Sequence, residues 1–590
     1  MNKDTIRIAN CSGYYGDKLS AAKELVDGGP IDVLTGDYLA ELTMGILYSQ
    51  RLQRGSDKGY VATFLKQLKE IAQSCQDKNI KIVVNAGGLN PQSMSLEVQS
   101  ILDEMNLSSR VAYIDGDDIS KDLQTLQADG EKFNNLDKKT SLKDSGYKVL
   151  TANTYLGAWG IKEALDQNAD IVICPRVTDA SVVIGPAAWK FNWQRNDYDQ
   201  LAGALAAGHI IECGAQATGG NYAFFQEVKS FKNIGYPIAE IHEDGSCVIT
   251  KHKNTGGMVS VGTVTAQLLY EISTTEYLNP DVTGHFNTLK IKQIDEDQVK
   301  ISGCKGSQPP STHKVCMNLA GGYRNGMELI LTGLDIEEKA NTLTDALFDL
   351  LGGKEQFDEV IIDLIRQDKD DPHTHEEAMA LLRIIVKSQD PKLVGRIFTA
   401  KVVELALANY PGWFSKDSIG SGTPFIVYWP TLINSKYVKE LVHIDDKVTE
   451  VLPTNQLNLS DYELPNIDMI VPDFNEVATE EIYFGRLIGA RSGDKGGCAN
   501  LGVWVKSEKA YSFLYHFLTV EKLKELLLDL ADYQIERFDF PNIKAVNFYI
   551  HGILGDGASS NTKVDALAKS LGEYLRAKKV SVPKELLKEI

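Results

Sequence analysis

Short apolar runs alternate with amphipathic segments over the first 190 residues of the chain. The runs are about five residues long and apolar throughout, which is typical of strands buried on both faces. The predicted strands are Ile6–Asn10, Ile31–Leu34, Ile80–Val84, Val111–Ile114, Lys148–Ala152 and Asp170–Cys174. The predicted helices are Tyr60–Cys75, Pro91–Met105 and Leu156–Gln167. This alternation predicts an α/β fold with a mostly parallel sheet and flanking helices.

The pattern changes after residue 200, where turns become more frequent and the α/β character continues. The strands predicted there are Cys247–Thr250, Thr288–Ile291 and Gln298–Ser302. Amphipathic helices are predicted over residues 336–352 and 374–388. A polar stretch over 118–147 is expected to be a solvated insertion.

A second domain is predicted at the C-terminal end of the chain. Residues 452–478 are acidic, contain Asn and Pro, and are expected to form a linker. Residues 480–590 alternate as β–β–α–β–α, which predicts an α+β domain of ferredoxin-like size. The predicted elements are Tyr483–Ala490, Cys498–Val505, Val520–Leu530, Ala545–Ile550 and Asp565–Arg576. We therefore expect an α/β domain over 1–455, a linker over 452–478 and an α+β domain over 480–590.

Composition and charge narrow the range of partners. The net charge of −19 argues against nucleic acid, because phosphate backbones require concentrated Lys and Arg. The eight cysteines are widely spaced and lack metal-binding spacing, which is typical of reduced thiols. No signal peptide and no long apolar stretch is evident, so we expect a cytoplasmic protein with no membrane partner.

Polar and glycine residues follow five successive predicted strands. Because ligands bind at the carboxyl ends of parallel strands, we expect a shared site for a small anionic metabolite at one edge of the sheet. The residues at these strand ends that we expect to bind substrate are Asn85, Gly87, Gly88, Asn153 and Arg176. The candidate acids and bases at the strand ends are Asp37, Glu41 and Asp179.

The segment His209–Asn221 places an imidazole, a carboxylate and a thiol within five positions. On a helix, His209 and Glu212 share one face, and a partly desolvated Glu212 can act as a general base. Cys213 is a less favoured nucleophile. The alternative is a capped helix end followed by a glycine turn, with an inert thiol.

The segment Gly303–Val315 combines glycines, lysines, prolines and a histidine after a predicted strand. Glycine-turn amides and ammonium groups can cradle a carboxylate or phosphate, so Lys305, His313 and Lys314 are candidate binding residues. The segment lacks the spacing of a nucleotide-binding P-loop. An exposed basic loop is the alternative.

A charged glycine-rich segment, Arg491–Gly497, is predicted to join two strands of the C-terminal domain. It is either a simple hairpin loop or a cover that closes an anion site. On the second interpretation, Arg491, Asp494 and Lys495 bind substrate.

Several familiar motifs are absent or weak. No GxGxxG follows the first predicted strand, and neither GxSxG nor HExxH occurs. The His-rich stretch Asp371–Glu377 is better explained by helix capping than by metal binding. The sequence thus predicts no specific metal ligands.

Several of these segments, in order, resemble the acyclic terpene utilisation (AtuA-like) family over nearly the full length. The segments that carry the resemblance are Asn10–Asp17, Thr35–Glu41, Val84–Gly88, Arg176–Ala180, Glu212–Gln216 and Pro310–Lys314. The resemblance includes the C-terminal domain with Arg491–Gly496, which in that family looks like an appended ferredoxin-fold domain.

The resemblance implies catabolism of branched or terpenoid acids through coenzyme A thioesters, beside acyl-CoA carboxylases. It favours a hydratase or carbon–carbon lyase, with a coenzyme A thioester as a substrate candidate and a homo-oligomeric state. Two alternatives stay open. One is a non-catalytic binding or assembly subunit for a carboxylase or dehydrogenase, and the other is a hydrolase assisted by a divalent metal.

Overall fold

The computed structural model describes residues 4–454 and 478–589, so most of the predicted linker at 452–478 lies outside the described residues. The chain divides into two compact units. The first comprises Met1–Asn318, Tyr428–Ala558 and Leu567–Ile590, and the second comprises Leu319–Val427 and Ser559–Ala566.

The strands are numbered in chain order. They are β1 (Thr5–Asn10), β2 (Val33–Gly36), β3 (Lys81–Val84), β4 (Val111–Asp115), β5 (Val149–Thr154), β6 (Ile171–Ile173), β7 (Pro237–His242), β8 (Cys247–Lys251), β9 (Glu276–Leu278), β10 (Thr283–His285), β11 (Lys290–Asp295), β12 (Gln298–Ser302), β13 (Lys305–Ser307), β14 (Thr312–Thr332), β15 (Glu359–Ile365), β16 (Met379–Ser388), β17 (Phe414–Ser415), β18 (Thr423–Asn434), β19 (Glu440–Ile444), β20 (Lys447–Val451), β21 (Thr479–Tyr483), β22 (Gly489–Lys495), β23 (Cys498–Trp504), β24 (Ile535–Phe540), β25 (Ala545–Ile550) and β26 (Lys579–Pro583).

The helices are numbered in the same way. They are α1 (Ala21–Gly28), α2 (Glu41–Arg54), α3 (Ala62–Lys78), α4 (Pro91–Glu104), α5 (Leu123–Ala128), α6 (Trp159–Asp166), α7 (Ser181–Phe191), α8 (Tyr198–Ile211), α9 (Val261–Leu268), α10 (Ile336–Leu350), α11 (Phe398–Glu404), α12 (Glu508–Phe517), α13 (Val520–Leu526) and α14 (Leu571–Arg576). None of the helices in the described part of the chain is long and apolar enough to cross a membrane.

The centre of the first unit is an eleven-stranded sheet in the order β11-β12-β8-β7-β1-β2-β3-β6-β4-β19-β20. Its middle strands β1, β2, β3, β6 and β4 pair in parallel, and antiparallel strands extend it on both sides. The parallel strands are almost fully buried because helices pack against them. The α/β fold class predicted for this part of the chain is confirmed.

The prediction that the strand near residue 150 joins the parallel sheet was wrong. The strand forms as β5, but it pairs with β14 instead. A strand as short as β5 fits either sheet equally well, and β14 is a partner that lies about 160 positions further along the chain. The carboxyl end of β5 is nevertheless held beside the parallel sheet, because the amide of Leu156 donates to the carbonyl of Arg176 at 3.0 Å.

The polar stretch at 118–147 is more tightly packed than the sequence indicates. Phe133 is 1% exposed, and Leu126 and Leu142 are also buried. The backbone carbonyl of Phe133 accepts a hydrogen bond from the Trp429 indole at 2.9 Å. The stretch is therefore anchored by a few apolar side chains within a polar sequence.

In the second unit, β15, β16 and the later part of β14 form an antiparallel sheet covered by α10. The amphipathic helix predicted over 374–388 was wrong, because residues 379–388 form strand β16. Buried and half-buried positions alternate along most of β16, and its partners β14 and β15 supply the ladder hydrogen bonds. Helical and strand periods are hard to separate in a short apolar run, and tertiary pairing decides the outcome here.

The C-terminal part of the first unit is an α+β layer. Strands β22, β23, β25 and β24 form a four-stranded antiparallel sheet, and helices α12, α13 and α14 contribute to its apolar core. Residues 491–495, predicted as part of a loop, instead lie in β22, so the connecting turn is limited to Gly496 and Gly497. The α+β class predicted for this region is confirmed.

Candidate functional site

Three neighbouring parallel strands place polar side chains at one edge of the sheet. Asp37 follows β2, Asn85 follows β3 and Arg176 follows β6. The Asn85 amide donates from Nδ2 to Asp37 Oδ1, and its Oδ1 accepts from the backbone amide of Tyr38 at 2.8 Å. Asn85 thus fixes the turn after β2 and the orientation of the Asp37 carboxyl.

Arg176 is a buried cation, with 2% of its surface exposed. Its Nη1 donates to Asp179 Oδ1 at 2.8 Å and to the Leu39 carbonyl at 3.1 Å. Its guanidinium also lies 4.2 Å from the ring centroid of Tyr155, a cation–π contact. The Nε of Arg176 has no hydrogen-bond partner among the described residues. A planar donor with spare capacity is suited to a carboxylate.

Glu41, the first residue of α2, is surrounded by hydrogen-bond donors. Its Oε1 accepts from Tyr155 Oη at 3.0 Å, from Lys314 Nζ at 3.2 Å and from Tyr428 Oη at 3.3 Å. Burial disfavours ionisation of Glu41, but the charges of Lys314 and Arg176 outweigh it, so the pKa of Glu41 is lowered. Glu41 therefore remains ionised across the physiological range.

The pKa values of Asp37 and Glu212 shift in the opposite direction to that of Glu41. Both are buried, at 5% and 6% exposure, and burial is the main reason that the pKa of each is raised well above its ordinary value. The neighbouring Asp179 carboxylate raises both further, while Arg176 acts in the opposite direction. Such carboxyls hold a proton at a pH where an exposed acid has lost it.

The helical pairing of His209 and Glu212 predicted from their spacing is present at the end of α8. His209 Nδ1 lies 3.0 Å from Glu212 Oε1. Among the described residues, Glu212 Oε2 has no partner. Burial, with a further contribution from Lys495, lowers the pKa of His209 to about 4, so its ring is neutral. Burial likewise raises the pKa of Cys213, which keeps it a thiol.

Lys495 reaches the same region from the hairpin between β22 and β23. Its Nζ lies 5.9 Å from the ring centroid of Tyr277. A Cβ placed on Gly497, in the turn that follows, would lie 2.2 Å from the Gly555 carbonyl oxygen, so only glycine fits this turn as it stands. Burial and the nearby charge of Lys314 lower the pKa of Lys495.

A set of ion pairs holds this hairpin against the segment after α9. Lys569 Nζ lies 3.1 Å from Glu271 Oε1 and 3.0 Å from Asp494 Oδ1. Arg491 donates to the Gln216 amide oxygen and lies over the Tyr270 ring at 4.2 Å. The contacts of Asp494 and Arg491 therefore hold the β22–β23 hairpin in place.

We use the term recess for the region in which seven ionisable side chains interact electrostatically with one another. They are Asp37, Glu41, Arg176, Asp179, Glu212, Lys314 and Lys495. Solvent reaches this space, because the side chains of Glu41, Asp179 and Lys314 are 30%, 30% and 31% exposed. Cations and carboxyls thus face one another in a partly desolvated, accessible site.

The remaining residues predicted from sequence lie outside the recess or are engaged elsewhere. The amide of Gly87 donates to the Cys174 carbonyl at 3.0 Å, and that of Gly88 donates to the Asn85 carbonyl at 3.4 Å. Asn153 donates to Asp117 Oδ2 at 2.8 Å. These groups support the backbone around the site.

Two residues of the segment Gly303–Val315 are also engaged elsewhere. Lys305 pairs with Asp199, with 2.6 Å between Nζ and Oδ2. His313 is buried, and its Nδ1 donates to the Tyr155 carbonyl at 3.0 Å. Only Lys314 of this segment reaches the recess.

Sequence reasoning did not single out several residues that shape the site. They are Tyr155, Tyr270, Glu271, Tyr277, Tyr428 and Lys569. Tyr155 directly follows the strand-end residues Asn153 and Thr154, a position that could have drawn attention to it. Tyr428 and Lys569 come from distant segments, and no local pattern marks them.

The described residues contain no group of three or more His, Cys, Asp or Glu side chains that could hold a metal ion. Asp37, Asp179 and Glu212 approach one another closely enough to interact electrostatically, but they do not form such a group.

The fold and the recess define an α/β protein in which cations and carboxyls are grouped at the carboxyl ends of parallel strands. A family model described as acyclic terpene utilisation family protein AtuA matches residues 6–444, and a model of the AtuA ferredoxin-like domain matches residues 483–581. The chain therefore belongs to the acyclic terpene utilisation (AtuA) family and carries its ferredoxin-like domain. A comparison with curated proteins gave no match, and a comparison with solved structures gave none either.

Proposed function

We propose that this chain is a lyase of branched-acid or acyclic terpenoid catabolism. It would add or remove water, or cleave a carbon–carbon bond, next to the carbonyl of a branched hydroxyacyl compound. The observation that carries this proposal is the meeting of Arg176, Lys314 and Lys495 with Asp37 and Glu212, two carboxyls whose pKa is raised by burial, in one recess. The family description supports the substrate class.

Both reactions develop negative charge on a carbonyl or carboxylate oxygen, and both move a proton. Arg176 and Lys314 are placed to hold that charge, since each is a buried or half-buried cation beside the Tyr155 ring. Such interactions are stronger in a partly desolvated site than in water. Their role is to bind the acid group and stabilise the enolate.

Glu212 is the favoured proton carrier. Its pKa is raised, its Oε2 is uncommitted, and the neutral ring of His209 holds its other oxygen. A carboxyl with a raised pKa can both give and accept a proton near neutral pH. Glu41 has a lowered pKa and three donors on one oxygen, so it orients Lys314 and Tyr155 and is a poor base.

The same site is open to a free acid, or to a coenzyme A thioester whose acyl chain carries a second carboxylate, because the recess recognises a carboxylate. A carboxylase that produces such branched acids is a fitting neighbour in the pathway. A homo-oligomeric state and a cytoplasmic location complete the proposal.

The test uses the purified full-length protein with short branched carboxylic acids and branched 3-hydroxyacyl and 2-enoyl coenzyme A thioesters. Binding is measured by the shift in melting temperature, and turnover is measured by mass spectrometry of the products. We expect the wild-type protein to be stabilised by at least one class and to interconvert or cleave the thioesters.

Two variants test the proposed roles of Glu212 in proton transfer and of Arg176 in binding the acid group. Glu212→Gln mimics the protonated acid, so it should keep ligand binding and lose roughly 100-fold or more in turnover. Arg176→Lys loses the planar donor and the contact with Tyr155, so it should lose ligand-induced stabilisation. Lys300→Ala, at an exposed position on β12, is the matched control and should behave as wild type.

Two results contradict the proposal. One is an unchanged melting temperature with every acid and thioester at saturating concentration. The other is full turnover in Glu212→Gln.

A further inference from the structure

Three lysines border or support the recess, and their ammonium groups differ in what surrounds them. Lys314 is paired with Glu41, and Lys569 is paired with both Glu271 and Asp494. The amine of Lys495, in contrast, has no hydrogen bond or ion pair with any residue in the described ranges 4–454 and 478–589. It is therefore the lysine whose nitrogen is not committed to a carboxylate.

Lys495 also holds a central position. Its charge interacts with Glu41, Lys314, Glu212 and His209. The tight turn at Gly496 and Gly497 and the ladder pairing of Lys495 with Cys498 fix its backbone. The Tyr277 ring, whose centroid is 5.9 Å from this nitrogen, also lies 5.0 Å from the ring of His209, the partner of Glu212, so the amine is near the His209–Glu212 pair.

We propose that Lys495 is an amine nucleophile that forms an imine with the keto or aldehyde group of a carboxylate-bearing substrate. The carboxylate of such a keto acid would be held by Arg176 and Lys314, and its carbonyl carbon would face Lys495. The proposal rests on the recess of the proposed function, but it does not depend on whether the overall reaction is hydration or cleavage.

The surroundings favour the nucleophilic form of this amine. A lysine becomes nucleophilic when burial and a neighbouring cation favour its neutral state. Burial and Lys314 both act on Lys495 in this direction, while Glu271, Glu41 and Asp179 oppose them. The net result is a lowered pKa, so a larger fraction of Lys495 is neutral at a given pH than of an exposed lysine.

The chemical step balances with the groups present. The neutral nitrogen of Lys495 forms a C–N bond to the carbonyl carbon as the C–O π bond breaks, and Glu212 protonates the oxygen. Glu212 then takes a proton from the nitrogen and returns it to the hydroxyl, which leaves as water. The sum is one amine, one carbonyl and one solvent proton giving a protonated imine and water, with no change in oxidation state.

A protonated imine withdraws electrons from the adjacent carbon–carbon bonds, and it can therefore assist cleavage or proton removal at that carbon. The class of compound that fits is a keto acid whose carboxylate and carbonyl can span the distance from the two cations to Lys495. The side chain of Tyr277, beside the Lys495 amine, offers an apolar face to the carbon chain of such a compound.

The experiment incubates the full-length protein with 4-oxopentanoate and sodium cyanoborohydride, which reduces an imine to a stable secondary amine. Intact mass and peptide mapping then locate the adduct. We expect one adduct per chain, on the peptide that contains Lys495, and a labelling rate that rises at a lower pH than for exposed lysines. 4-Methylpentanoate, which lacks the keto group, is expected to slow labelling by competing for Arg176 and Lys314.

Lys495→Arg keeps the positive charge but cannot form an imine, so labelling should fall at least 10-fold. Lys300→Arg is the matched control and should label as wild type. Peptide mapping of the wild-type adduct identifies the modified lysine even if a variant folds poorly. Absence of an adduct, or an adduct spread over exposed lysines at equal rates, would overturn the imine proposal. Stabilisation by 4-methylpentanoate in that same experiment would leave the proposed anion site standing.

Discussion

Glu41 and Asp37 follow the same strand, four residues apart, and the fold shifts their pKa values in opposite directions. Glu41 meets Lys314, Tyr155 and Tyr428, and its pKa is lowered. Asp37 meets the Asn85 amide in a more deeply buried position, and its pKa is raised. The identity of the residue does not determine its role here, because burial and neighbouring charges decide which carboxyl keeps its proton.

The buried ring of His209 is expected to make the stability of the protein depend on pH. Its pKa is lowered from 6.5 to about 4, so the folded protein binds this proton less readily than the unfolded chain. The contribution of His209 to the free energy of unfolding is therefore complete above pH 6.5 and is lost as the pH falls towards 4. Compared with His209→Asn, the wild-type protein should lose roughly 3 kcal/mol of unfolding free energy between pH 7 and pH 4.

Urea unfolding at a series of pH values measures this difference. His375→Asn, at an exposed position, is the control and should run parallel to wild type. Parallel curves for wild type and His209→Asn would show that the buried ring does not resist protonation.

At the scale of elements, the hairpin of β22 and β23 positions the Lys495 amine through its two-glycine turn. Gly497→Ala would place a methyl group 2.2 Å from the Gly555 carbonyl, a contact that real structures do not tolerate. We expect a loss of about 1–3 kcal/mol in stability and a shift of the turn. Ligand-induced stabilisation by a branched acid should weaken at the same time, because Lys495 moves.

Gly420→Ala is the matched control, since no described atom lies within 4 Å of the added methyl position. It should change stability by less than about 0.5 kcal/mol in the same denaturant titration. If Gly497→Ala matched this control in both stability and binding, the turn would not constrain Lys495.

Elements also show what sequence patterns can and cannot predict. The parallel strands β1, β2, β3, β4 and β6 were predicted because each is short, apolar and separated from the next by a helix. Strand β16 was predicted as a helix, because its apolar positions fit both periods and the deciding partners lie elsewhere. Local patterns give the type of a strongly periodic element, whereas pairing between distant strands has no local signal.

The same distinction applies to the site. Asp37 and Arg176 could be named as candidates because they follow strands at one edge of the sheet, and Glu212 because its spacing from His209 fits one face of a helix. Lys305 and Lys314 look equivalent in the sequence, yet only Lys314 meets Glu41, while Lys305 pairs with Asp199. That difference depends on the path of β13 and β14, which the spacing of residues does not reveal.

At the scale of the whole molecule, the recess combines residues from the N-terminal strands with Lys495 from the ferredoxin-like domain. The connection depends on Lys569, which bridges Glu271 and Asp494. Lys569→Met should leave two carboxylates facing each other without a cation. We expect it to cost roughly 1–2 kcal/mol, a modest value because the Lys569 side chain is 37% exposed.

Hydrogen exchange across residues 489–504 reports on this connection directly. It should become faster in Lys569→Met, because the hairpin loses its fastening. Lys229→Met removes an ion pair with Glu296 in which both side chains are more than 70% exposed, and it should leave exchange unchanged. Equal exchange in the two variants would mean that Lys569 does not hold the hairpin.

The late position of Lys495 in the chain has a consequence for biosynthesis. A ribosome delivers Asp37, Arg176 and Glu212 long before it delivers residue 495, and domains tend to fold in the order in which they emerge. These residues and Lys495 belong to one compact unit, however, so the recess is complete only after residue 495 has emerged. A chain released before residue 495 has the carboxyls of the recess but not the Lys495 amine, so it could not form the imine proposed above.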